Sequence, residues 1–386
     1  MKHLAVFLLA ASGMMAADFG TGQAARAVIG QPTFTAQLPD SSDVVLGGVG
    51  GVAYANGKLF VTDANRVAAT PINHRVLIFN VSEFLPRPDA EIPQTDPPSR
   101  CPLCVGKASV VLGQEDFTGS EWHIGPSGMR LPTAVASDGI RLAVADTDNN
   151  RILIWNSIPT TNNAPADIVI GQPDFNSTAP NAGTGDSRVP SPRSLRSPQG
   201  VWIQDGRLFV ADTLNKRVLI WNSFPTENFQ PADVVLGQPD FYTAIEPDLT
   251  RNEIQASAKT LLDPVSVTSD GVRLFVSDLG HHRVLIWNSI PTTNQQPADV
   301  VVGQPNMTSA VANYSHTFKV DETGKIIERT KVLCDPDGGK DDNGLPTYPA
   351  RCAATLEYPR FALSDGTRLF IADGGNDRIL VFNRIP

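Results

Sequence analysis

Three of the six histidines in this 386-residue chain, His74, His281 and His282, fall in tight turns between apolar segments. Imidazole is the side chain best suited to metal ligation or proton transfer near neutral pH. Lys216 and Asp377 occupy the matching turns of two further segments, so these five residues form a candidate binding surface. A second set is more regular. Asp63, Asp146, Asp212, Asp278 and Asp373 each end an apolar segment, and each is followed by an arginine that opens the next: Arg75, Arg151, Arg217, Arg283 and Arg378. A ring of carboxylates at the mouth of a channel could hold Ca²⁺, provided that several oxygens converge. A residue present in every copy, however, serves the unit, whereas an active site must break the symmetry. The five aspartates are therefore expected to cap their turns through backbone N–H groups, or to pair with the arginine that follows. No cofactor is expected beyond a structural or catalytic divalent cation such as Ca²⁺.

The elements that must position these residues are repeats. The copies read LFVTD…RVLIFN (59–80), LAVADTDNNRILIWN (142–156), LFVADTLNKRVLIWN (208–222), LFVSDLGHHRVLIWN (274–288) and LFIADGGNDRILVFN (369–383). Strand-built units with no helix between them mark a β-propeller. In the third copy Ser197–Ile203 reads as a first strand, Asp205-Gly206 as a tight turn and Arg207–Asp212 as a second strand. Arg217–Asn222 reads as a third and Asp233–Pro239 as a fourth. The aromatic closing each third strand (Phe79, Trp155, Trp221, Trp287, Phe382) reads as inter-blade core rather than as a stacking platform.

Five such units give an all-β propeller of four-stranded antiparallel blades; six would require the insertions to build a blade unlike the others. Val28-Ile29-Gly30-Gln31-Pro32-Thr33-Phe34 matches Val235–Phe241 but has no strands before it, while the last copy has no fourth strand after its third. The expectation is that the N-terminal strand completes the last blade and closes the ring. A single domain would then span 27–386, with insertions at 82–107 and 309–357. The second insertion contains an expected hairpin, Thr317–Lys319 returning as Ile326–Leu333, and an acidic loop, Asp335–Gly344.

Charge and cysteines narrow the setting. A formal net charge of −9 opposes a nucleic-acid partner, because phosphate binding needs a basic stripe. Residues 1–17 read as a signal peptide: Lys2 and His3, an apolar run from Leu4 to Ala11, then small residues. That run is too short for a transmembrane anchor, and no other stretch approaches membrane length. An exported protein, periplasmic or extracellular, is the expectation, and with it structural disulfides. Proximity pairs Cys101 with Cys104 and Cys334 with Cys352.

The pattern strand-Asp-x-x-Asn-x-Arg-(Ile/Val), as in Asp146–Ile152, Asp212–Val218 and Asp373–Ile379, resembles the NHL-repeat family of β-propellers, and in particular its exported bacterial members. The copy at Asp278 departs from it, with His281 where Asn is expected. That resemblance implies the propeller fold and spans interaction modules as well as more distant lyases and lactone hydrolases. No Gly-x-Ser-x-Gly elbow, His-Glu-x-x-His helix or phosphate loop is present. The sequence therefore favours a non-catalytic module that binds a protein or cell-surface polymer. The alternative is a metal-dependent lyase or hydrolase with a cation in the central channel.

Overall fold

The structure, a computed structural model, describes residues 25, 27–64, 70–84, 105–183, 189–244 and 255–385. The expected signal peptide and the pair Cys101 and Cys104 lie outside the described residues. After a short strand β1 (Val28–Ile29) comes the first sheet, of β2 (Val49–Ala55), β3 (Lys58–Asp63), β4 (Arg75–Asn80) and β6 (Val110–Leu112), with β5 (Val105–Gly106) apart from it. The second sheet comprises β7 (Pro132–Ser137), β8 (Leu142–Asp146), β9 (Arg151–Trp155) and β10 (Ile168–Ile170). The third comprises β11 (Pro198–Gln204), β12 (Arg207–Asp212), β13 (Arg217–Trp221) and β14 (Val234–Leu236). The fourth holds β15 (Pro264–Ser269), β16 (Leu274–Asp278), β17 (Arg283–Trp287) and β18 (Val300–Val302). After the hairpin β19 (His316–Val320) and β20 (Ile326–Lys331), the fifth holds β21 (Pro359–Ser364), β22 (Leu369–Asp373) and β23 (Arg378–Phe382). The molecule is an all-β, five-bladed propeller built on four-stranded antiparallel sheets.

In the first four blades the middle strands are largely apolar between their terminal Asp and Arg because both of their faces are covered. Ile152, Ile154 and Ile170 of the second blade pack against Val210, Leu219 and Trp221 of the third, and the same succession joins the third to the fourth. Each Asp–Arg pair lies directly opposite across the second and third strands, for example Asp146 with Arg151 and Asp212 with Arg217. In the second to fifth blades one turn of 3₁₀ helix connects them, and the residue before Arg is left-handed: Asn150, Lys216, His282 and Asp377 have φ between 51° and 56°. Every Gly-Gln strand ends on a glycine at φ near +90°, namely Gly30, Gly113, Gly171, Gly237 and Gly303. Only glycine takes that conformation at little cost. A Cβ there would also strike the next blade, meeting Leu195 at 2.6 Å from Gly171.

One expectation is corrected. The N-terminal strand does not complete the fifth blade. β1 pairs in parallel with β5, Val28 opposite Val105 and Ile29 opposite Gly106, and the fifth sheet has three strands among the described residues. The physical reason lies in the anchoring of the segment. Gly30 packs on Leu46, whose backbone N–H donates to the Gly30 carbonyl, and Ile29 joins the core of the first blade. The insertion 309–357 follows expectation more closely: its hairpin forms, turning at Asp321–Gly324, and Cys334 is bonded to Cys352. No helix among the described residues is long and apolar enough to cross a membrane.

Candidate functional site

The repeated aspartates are anchors. Asp146 Oδ1 accepts the Arg130 backbone N–H at 2.6 Å, while Oδ2 accepts Asn149 Nδ2 at 2.9 Å and Arg151 Nε at 2.7 Å. Asp212 repeats the pattern with Arg196 N, Asn215 and Arg217, and Asp373 with Glu357 N, Asn376 and Arg378. In the first blade Asp63 takes two backbone donors, Gly47 and Gly48, together with Asn73 and Arg75. Both oxygens of each carboxylate accept from N–H donors, and one of those donors is the guanidinium of the arginine that follows. The other end of each arginine ties down main chain. Arg217 donates from one terminal nitrogen to Phe241 O at 2.7 Å, and from the other to Ser191 O and Ser194 O at 3.0 and 2.9 Å. Two sequence-distant segments are thus held to the Asp212 carboxylate by one guanidinium.

Burial pushes the Asp146 and Asp212 carboxyls upward, against the pull of Arg151 and Arg217. Burial opposes ionisation of Asp278 as well, but His281 and Arg283 together outweigh it and hold this carboxyl far below the usual range. His281 stands where the other turns have Asn. Its Nδ1 lies 2.7 Å from Asp278 Oδ2, and its buried Nε2 has no hydrogen-bond partner. The departure from the repeat is therefore absorbed by the same anchor.

The remaining turn residues join blades to one another. His74 Nδ1 accepts the Leu131 N–H at 3.0 Å and His282 Nδ1 accepts the Tyr358 N–H at 3.2 Å; in the second blade Asn150 Oδ1 does the same for Ser197 at 2.8 Å. Lys216 reaches Asp263 at 2.6 Å. Asp377, at the corresponding place in the fifth blade, is exposed. Among the described residues no group of three or more His, Cys, Asp or Glu gathers as a metal set. The structure places His74, Lys216, His282 and Asp377 at equivalent positions of four blades, with His281 beside His282. It gives three of these four a partner on the next blade.

This geometry makes a pH prediction. Burial lowers the pKa of His74, helped by Arg130 and His123 and opposed by Asp148 and Glu121; burial likewise lowers that of His282, helped by His281 and opposed by Glu357 and Asp278. A histidine whose folded pKa is depressed binds more protons unfolded, so its contribution is present above the unfolded value near 6.5 and is lost as pH falls through it. The urea midpoint is expected to fall between pH 7 and pH 5. The double variant His74→Asn, His282→Asn, which installs the residue found at Asn150, should flatten that part of the profile. An unchanged slope in the double variant would assign the pH dependence to other groups.

Sequence reasoning pointed to the second insertion as part of a contact surface but missed the inter-blade bonds and the exposed apolar pair that the insertion presents. Phe318 and Val320, alternate residues on one face of β19, are 60% and 50% exposed. The acidic loop below them is internally braced: Asp337 accepts from Gly339 N and Thr347, and Asp341 from Asn343 N, Leu345 N and Arg329. His316 stacks on Tyr348 with ring centroids 4.8 Å apart. Alternation of apolar and charged residues in 316–320 was the available signal.

Fold and anchors together define a β-propeller whose blades repeat one buried Asp–Arg device. No protein-family profile and no curated protein matches the sequence. Among solved structures, the chain is similar to a 6-phosphogluconolactonase-like protein described from Bacteroides uniformis, at 12% identity and TM-score 0.40, over 89% of this chain and 83% of that one. It is also similar to an auxiliary nutrient binding protein from Bacteroides ovatus (9%, TM-score 0.42, 88% of this chain and 60% of that one) and to a streptogramin B lyase (11%, TM-score 0.35, 92% and 87%). Likenesses at this level carry no argument about activity, and the propeller assignment rests on the strand pairing of the chain itself.

Proposed function

We propose that the chain is an exported, non-catalytic propeller of NHL type that binds a protein or a cell-surface polymer, using the insertion 309–357 as its principal contact surface. One observation carries this reading. The insertion is the largest described departure from blade symmetry, and it presents exposed apolar side chains on a hairpin that Arg329 ties, through Asp341, to the loop closed by Cys334–Cys352. Pre-ordered apolar side chains on a braced loop bind without a large ordering cost. By contrast, the turn residues common to the blades are largely engaged in holding blades together.

The test is capture from cell-envelope material of the source organism by immobilised wild-type protein, by Phe318→Asp/Val320→Asp, and by a chain lacking Asp335–Gly344. Capture by the wild type that drops at least ten-fold in both variants, with urea midpoints unchanged, is the expected result. Equal capture by all three would place the contact surface elsewhere on the propeller.

A further inference from the structure

The symmetry of the blades breaks at one further place, on the second blade. In four copies the Gln side chain of the Gly-Gln strand donates to a carbonyl seven residues on: Gln31 to Leu38 O, Gln114 to Glu121 O, Gln172 to Ala179 O and Gln304 to Val311 O. The residue after that carbonyl is therefore equivalent from copy to copy, and it is Pro39, Trp122, Pro180 and Ala312. Only the second of these is aromatic. Of the five tryptophans, Trp155, Trp221 and Trp287 are buried and Trp202 is half-buried, whereas Trp122 is 47% exposed.

A second departure lies beside the first. The residue whose backbone N–H donates to the repeated aspartate is Arg130, Arg196, Leu262 and Glu357 in the second to fifth blades, and the residue two beyond that aspartate is Asp148, Leu214, Gly280 and Gly375. Only the second blade combines opposite charges at these two places. Arg130 Nε stands 3.7 Å from Asp148 Oδ2, with both side chains partly exposed, and the Arg130 guanidinium lies over the Trp122 ring, 5.1 Å from its centroid. The loop that carries the indole is fixed on both sides. Before it, Glu121 O accepts the Gln114 amide at 2.6 Å; after it, Gly125 O and Gly128 O accept from Arg151 at 3.1 and 3.0 Å, and Pro126 O accepts from Ala166 N at 2.9 Å. His74, through Leu131 N, fixes the start of the strand next to Arg130. A large apolar ring is thus held in the open, with little ordering left to cost on binding.

We propose that Trp122, Arg130 and Asp148 form a saccharide-binding subsite that takes a sugar ring of a neutral polysaccharide, the C–H face of the ring on the indole and its hydroxyls on the guanidinium–carboxylate pair. A sugar ring has an apolar face and a polar edge, and the site offers a counterpart to each. An apolar protein surface laid on Trp122 would strip water from Arg130 and Asp148 without replacing it, which is costly. Hydroxyl groups both donate and accept, and so satisfy the pair. Charge selects among polymers. The pair is balanced, Glu121 next to Trp122 adds a carboxylate, and the chain carries a formal charge of −9, so polyanions are repelled. The site belongs to the second blade, whereas the insertion 309–357 precedes the fifth.

Titration of the full chain with defined oligosaccharides tests the idea, with cello-, malto-, manno- and chito-oligosaccharides as neutral probes and oligogalacturonate as the acidic one. Binding of at least one neutral series is expected, with a change in tryptophan emission that Trp122→Ala abolishes. Trp122→Ala should lose about ten-fold or more in affinity, the weight of a central aromatic contact, and Trp122→Phe should keep most of it. Because the indole is half exposed, the urea midpoints of both variants should stay at the wild-type value. Saccharide alone is the probe, so the result does not depend on whether the insertion captures a partner. No binding of any neutral probe, equal affinity in Trp122→Ala, or binding confined to oligogalacturonate would overturn the proposal.

Discussion

Arg217→Met is expected to lower the unfolding free energy by about 3–5 kcal/mol, the range found when one partner of a buried ion pair is removed. Arg217 and Asp212 are fully buried. Methionine fills comparable volume but leaves the Asp212 carboxylate without its cation. It also strips Phe241 O, Ser191 O and Ser194 O of a donor, and buried acceptors without partners are costly. The same change at Arg378 should cost less, because that side chain is partly solvated and holds two carbonyls instead of three. Urea unfolding of the two variants side by side checks both the size and the order. Equal losses would mean that the bond to Phe241 O contributes little.

Trp221→Ala should have an effect of similar size, about 3–5 kcal/mol, by a different route. The indole is fully buried between the second and third blades and packs with Ile152, Ile154 and Leu219, while its Nε1–H donates to Gln230 O at 3.1 Å. Alanine opens a cavity that two rigid sheets cannot collapse, and it orphans a carbonyl. Phe382, at the same place in the fifth blade, is only partly buried. Phe382→Ala is therefore expected to cost clearly less, and thermal midpoints of the two variants measure the difference.

What the sequence made legible is what repeats over short distance. Asp146 and Arg151 are five residues apart and face each other across a tight turn, so their pairing could be read without knowing the rest of the fold. The glycine of each Gly-Gln strand was visible as a repeat, although its reason, a left-handed φ pressed against the next blade, belongs to packing. Contacts that join blades were not legible. His74 with Leu131, Asn150 with Ser197 and His282 with Tyr358 are 57, 47 and 76 residues apart, and three different chain lengths serve one geometric role. The turn histidines looked like chemistry because their type varied; the place they occupy asks only for an acceptor or a charge that reaches the neighbour. The destination of Val28–Phe34 was misread because motif matching identifies which strand a segment imitates, not which edge is free to receive it.

The way each arginine is wired also bears on how the protein comes apart. Arg151 holds the loop that precedes its own blade, through Gly125 and Gly128, and the segment that follows its last strand, through Phe175. Cutting the chain at any blade boundary therefore severs one of these ties. Stacked solenoid repeats can melt singly from an end because each unit answers only to its neighbours. Here no single blade is a self-sufficient unit, and removal of one by deletion would leave a guanidinium on one side and a row of carbonyls on the other, each lacking its counterpart. Losses of this kind are shared between units, so truncation at the sequence repeat should yield insoluble fragments instead of a smaller propeller.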